Sequence, residues 1–148
     1  MEVVQGLKYR TTDTIYDLFF TESKFVAATV LHYYDLASIY PKSDLLSLLI
    51  GSLPQQREIK VRQLKLLDER RLAFKDKTAD EILTMHRANF EVDYQNVIVV
   101  RIRKGSVTTS LEFVVQGHPE TKISFWIERN QIAEVEEVVR RFLPDKVR

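Results

Sequence analysis

The last third of the chain sets the tightest limit on its fold. Along residues 97–103, 110–116 and 122–127 apolar side chains recur at every second position: Ile98, Val100 and Ile102, then Leu111, Phe113 and Val115, then Ile123, Phe125 and Ile127. A period of two places each set on one face of a strand. At 130–143 the period becomes helical, with Ile132, Val135, Val138, Val139, Phe142 and Leu143 on one stripe, Asn130 as the expected N-cap and Pro144 as the stop. Glu136 with Arg140 and Glu137 with Arg141 add two i,i+4 pairs in the favourable order. Short turns at 104–106 and 117–119 join the strands, so the expectation is an α+β fold in which an antiparallel sheet with one packed and one wet face ends in a helix.

The first thirty residues read the same way. Residues 3–9, 14–20 and 24–31 are rich in β-branched and aromatic side chains, and Thr21-Glu22-Ser23 is a tight polar turn between the last two. Then the period changes. Ser43 or Asp44 can cap a helix through Leu53, and Pro54 ends it and opens a second over 55–74, where Ile59, Gln63, Leu66, Leu67 and Phe74 share a side. Thr78-Ala-Asp-Glu81 matches a capping box and starts a third helix. Alternation returns at 89–94. The chain therefore reads as one domain, 1–148, with β segments at 3–31 and 89–127, a helical insertion at about 36–86 and a terminal helix at 130–143.

Composition removes several chemistries. At 148 residues and 45% hydrophobic the chain can bury a core without staples, and it has no cysteine, so thiolate metal sites, disulfides and thiol nucleophiles are out. The three histidines, His32, His86 and His118, are far apart in sequence. His32, beside Tyr33, Tyr34 and Asp35, is the one cluster with an acid-base look and reads as structural. Nucleophile-elbow, Walker A, dinucleotide and zinc-helix motifs are absent, so no catalytic residue, metal or cofactor is expected. Glu2 and the early polar residues do not suit a signal peptide, and the longest apolar run, 45–53, is about half of what a spanning helix needs. The expectation is a cytoplasmic protein, with the membrane periphery as its alternative. A net charge of +1 argues against nucleic acid as the partner, although 57–77 carries eight bases against four acids.

Three segments resemble pleckstrin-homology/GRAM-like domains of the bacterial and archaeal kind. Leu18-Phe-Phe-Thr21-Glu-Ser-Lys24-Phe-Val-Ala-Ala28 is similar to the family's strand-turn-strand, and Phe90-Glu-Val-Asp-Tyr94-Gln-Asn-Val97-Ile-Val-Val100 to its next extended run. Residues 132–143 look like its terminal helix. The resemblance implies a PH-like antiparallel barrel or curved sheet capped by that helix, and an affinity for phosphoinositides or proteins. It also implies anion contacts at the first hairpin, here Lys8 and Arg10 with Lys24. The long helical segment is a departure from the family pattern.

Other candidates come from the residues themselves. Arg57, Lys60, Arg62 and Lys65 form a basic helix that could meet an anionic phospholipid surface. Leu45, Leu46 and Leu49 crowd a short helix with apolar groups nearly all round, as a homo-oligomer interface would, and Trp126 falls on the strand face opposite Phe125 and Ile127. Each has an ordinary reading: bases on a solvated face, leucines packed on the chain's own sheet, an indole covered by the insertion. The leading expectation is a non-enzymatic interaction module binding a protein partner or an anionic membrane surface. Its alternatives are an obligate homo-oligomer joined through the insertion, and a small-molecule binder or enzyme with a site between sheet and insertion.

Overall fold

The computed structural model describes residues 1–12, 14–32, 53–117 and 121–148. Strands β1 (Glu2–Tyr9), β2 (Ile15–Phe20) and β3 (Lys24–Leu31) form a meander, followed by helices α1 (Leu53–Phe74) and α2 (Ala79–Thr84). Strand β4 (Phe90–Asp93), a 3-10 turn, β5 (Val97–Lys104), β6 (Thr109–Val115), β7 (Thr121–Ile127), a second 3-10 turn and α3 (Ile132–Phe142) complete the order. The seven strands make one antiparallel sheet in the order β4-β3-β2-β1-β7-β6-β5.

That sheet is curled. Strands β3 and β6 stand four places apart in it, which in a flat sheet would separate them by about 19 Å. Yet the rings of Phe25 and Phe113 lie 4.6 Å apart, so the two wings face each other across one core. Inward residues of all seven strands meet there, and Val135, Val138, Val139 and Leu143 of the terminal helix seal it. Phe142 adds its ring 5.7 Å from that of Phe20.

The outer face of β1–β3 is covered by the insertion. Phe19, Val26, Ala28 and Val30 pack against Phe74, Ala79 and Ile82, with Phe19 and Phe74 edge to face. Burial on both faces explains why β2 and β3 are nearly continuous apolar runs. A polar lock fixes α1 on this surface. Asp17, 1% exposed, accepts from Arg71 Nε at 2.7 Å and Nη2 at 2.9 Å, and from the Gly6 N–H at 2.8 Å. Gly6 takes φ +73° at an irregularity of β1, a conformation glycine adopts without steric cost.

Three expectations change. Ile98 does not share an inward face with Val100 and Ile102: β5 carries an extra residue between Val97 and Val99, which turns Ile98 outward, 42% exposed, and brings Val97 into the core. Asn130 does not cap the last helix. It lies exposed in the 3-10 turn Arg129–Gln131, where the Glu128 N–H donates to Gln131 Oε1, and regular helix begins at Ile132. The wet face expected of β6 and β7 is also partly closed, since Glu112, Val114 and Ser124 are buried on it. The helix expected to end at Leu53, with Leu45, Leu46 and Leu49, lies outside the described residues up to residue 52, and Leu53 itself is not an end but the first residue of α1, with Pro54 in its first turn; most of the turn at 117–119 is also outside them.

Candidate functional site

The outer face of the β5–β7 wing with the Lys8 end of β1 is not covered by the described helices, and the strand register shows what it presents. Directly paired residues share a face, so Arg103, Ser110, Trp126 and Lys8 form one row across β5, β6, β7 and β1. Arg101, Glu112 and Ser124 form the next row, which Arg10 joins through its N–H to the Ser124 carbonyl at 2.9 Å. Lys122 stands beside Val114 in the third. Five cations thus surround one carboxylate and one indole.

Two features give this face a defined shape. The Lys8 Nζ sits 5.7 Å from the centroid of the Trp126 ring, a cation–π contact worth about 0.5–1 kcal/mol at an exposed site. Glu112 is buried, and Arg103 Nε stands 2.8 Å from its Oε2 as an ion pair whose N–H does not line up on that oxygen. The hydroxyl of Ser124 is buried beside it with no hydrogen-bond partner. Trp126 remains 41% exposed.

At the upper end of the face lies a groove of about 370 Å³, lined by Gly6, Lys8, Thr108, Trp126, Glu128 and Arg129 among others. It exists because β1 and β7 pair only at Lys8 with Trp126 and Tyr9 with Phe125 and then part. Gln131 bridges the gap by donating from Nε2 to the Gln5 carbonyl at 2.7 Å. Lys8 and Arg129, threonine hydroxyls and an aromatic wall, with Glu128 the one carboxylate in the lining, make a binding surface for an anionic group with an apolar portion.

A second niche lies between sheet and insertion. The His32 and His86 rings are 5.9 Å apart, and an open niche of about 190 Å³ is lined by Thr29, Arg70, Ala73, Phe74, Met85 and His86. His86 Nδ1 accepts from the Ala88 N–H at 3.1 Å, a structural use of that ring. The space is below the ordinary size of a small-molecule site.

The remaining expected residues are dispersed. Lys8 and Arg10 join Trp126, whereas Lys24 is on β3, bound to Asp80 of α2 and Glu91 of β4, and these carboxylates raise its pKa. Arg57, Lys60, Arg62 and Lys65 are exposed on α1, with Arg62 paired to Glu58 at 2.7 Å and Lys65 4.0 Å from Glu69. Sequence reading did not find Arg101 and Arg103, although their i,i+2 spacing on a strand marks them as neighbours on one face. Comparison with protein-family models, curated proteins and solved structures finds no match to this chain.

Proposed function

We propose that the chain is a non-enzymatic interaction module, PH/GRAM-like in architecture, that holds an acidic segment of a protein partner against the Lys8–Trp126 face. The strand order followed by a terminal helix accords with the resemblance at 18–28, 90–100 and 132–143. One observation carries the binding role: five cations and a part-exposed indole on one outer sheet face, beside a groove. Evenly solvated bases would need no aromatic neighbour, and Trp is enriched where one surface meets another.

A concave site favours a peptide over a bilayer. Trp126 lies within a row, flanked by Lys8 and Ser110, rather than on a protruding loop that could enter lipid. Carboxylates of an extended acidic segment would meet Lys8, Arg101 and Arg103 while an apolar side chain enters the groove.

Trp126 is the sole tryptophan, so its emission reports on this face directly. Titration with a glutamate-rich peptide containing leucines should shift the emission, weaken with added salt and weaken several-fold in Lys8→Glu and Arg101→Glu. A response to phosphatidylserine vesicles but not to the peptide would move the reading to an anionic membrane surface. No response to either would leave the face a solvated one.

A further inference from the structure

Helix α1 carries a second apolar surface that the sheet does not use. Leu67 and Phe74 contact the insertion's core cluster, Arg71 binds Asp17 and Arg70 reaches the Val30 carbonyl, so positions 67, 70, 71 and 74 face inward. Val61 and Leu72 lie on the other side and Leu64 on the flank between, and the three are 63%, 69% and 51% exposed. They run along about 16 Å of helix and, with Lys65, Asp68 and Glu69, line a shallow groove of about 440 Å³. Three large aliphatic side chains in one exposed stripe are more than scattered surface residues.

We propose that this stripe pairs with the same stripe of a second copy of the chain, the two α1 helices antiparallel about a two-fold axis at the Leu66–Leu67 midpoint. The ends of the stripe define that register: placing Val61 against the second copy's Leu72 makes both apolar ends meet twice. Lys65, on the groove, then comes opposite the second copy's Asp68, a pair of opposite sign that the two-fold repeats. Leu64 enters the groove between the second copy's Lys65, Asp68, Glu69 and Leu72, as a knob enters a hole of four side chains. A parallel in-register pair would set Lys65 on Lys65 and Asp68 on Asp68, so the charge order selects the antiparallel arrangement. The interface is separate from the Trp126 face and does not depend on the role proposed for it.

Sedimentation equilibrium of the full chain through the micromolar range tests the pairing. Wild type should dimerise, and Leu72→Glu, at an exposed position, should remain monomeric with unchanged helical circular dichroism. Lys65→Asp should weaken the dimer about tenfold, and adding Asp68→Lys to it should restore association. Orientation is read separately. The chain has no cysteine, so a mixture of Val61→Cys and Leu72→Cys proteins should form a disulfide-linked heterodimer under mild oxidation, with little linkage in either protein alone. A wild-type monomer throughout the range would overturn the proposal. Efficient self-linkage of Val61→Cys would overturn the antiparallel register.

Discussion

Arg71 holds the buried carboxylate of Asp17 from the far end of α1, two N–H groups on two oxygens, while the Gly6 backbone donates to the same group. Removing the guanidinium strands a charge that is 1% exposed, so Arg71→Ala should lower unfolding free energy by about 3 kcal/mol. Arg71→Lys should recover only part, because an ammonium cannot match both oxygens. Asp17→Leu combined with Arg71→Leu should cost less than the two single changes summed, measured as a double-mutant cycle in urea unfolding.

The second prediction concerns acid. The backbone N–H of Thr78 and then its hydroxyl bind the Glu81 side chain, lowering its pKa. A carboxylate with a lowered folded-state pKa stabilises fully above its unfolded pKa, and that contribution disappears as pH falls through the folded value. The melting-temperature difference between wild type and Glu81→Gln should therefore be largest near neutrality and close on acidification. Thr78→Ala, which removes the capping hydroxyl, should cost about 1 kcal/mol.

At alkaline pH the buried phenols act in the opposite direction. Burial raises the pKa of Tyr94, whose hydroxyl donates to the Thr21 carbonyl at 3.0 Å, and also raises that of Tyr16. Unfolded tyrosines ionise near pH ~10, so this contribution is intact below that value and lost as pH rises toward the folded-state values. Tyr94→Phe should lose about 1 kcal/mol at neutral pH and show a shallower decline above pH ~10, followed by urea unfolding at a series of pH values.

The two members of the Arg103–Glu112 pair should move binding in opposite directions. Arg103→Ala removes a cation from the peptide face and the ion pair of a buried carboxylate, so it should weaken the acidic peptide and destabilise by about 1–3 kcal/mol. Glu112→Gln removes the negative charge from the basic face and should tighten the acidic peptide. Calorimetric titration alongside thermal melts distinguishes the two effects.

Period-two alternation located the inward faces of β6 and β7, and helical spacing located the stripe of α3, because those side chains pack on a single core; the partial closure of the opposite face of β6 and β7 left no such period. The Thr78 capping box was legible because both partners lie within four residues. Local pattern could not show the extra residue at Ile98, since a bulge alters register without altering composition. Nor could it gather the basic face: Lys8, Arg101 and Trp126 become neighbours only through pairing of β1 with β7 and of β6 with both β7 and β5. Lys24 carried the same charge as Lys8 in the sequence, but Asp80 and Glu91, more than fifty residues later, engage it.

The contact between Phe25 and Phe113 has a consequence for the order in which this chain can acquire structure. On a ribosome the first meander emerges with Phe25 against Phe20 of its own hairpin, and the ring that faces it across the core, Phe113, comes after the whole insertion. Val135 and Val139 follow later still. The main core is thus closed by late, long-range contacts, which places folding among the slower β-rich topologies, in about milliseconds to seconds. Until α3 arrives, β1–β3 depend on early covering of their apolar surfaces, and the α1–α2 segment, made next, supplies that cover on one side through Phe74 and Ile82.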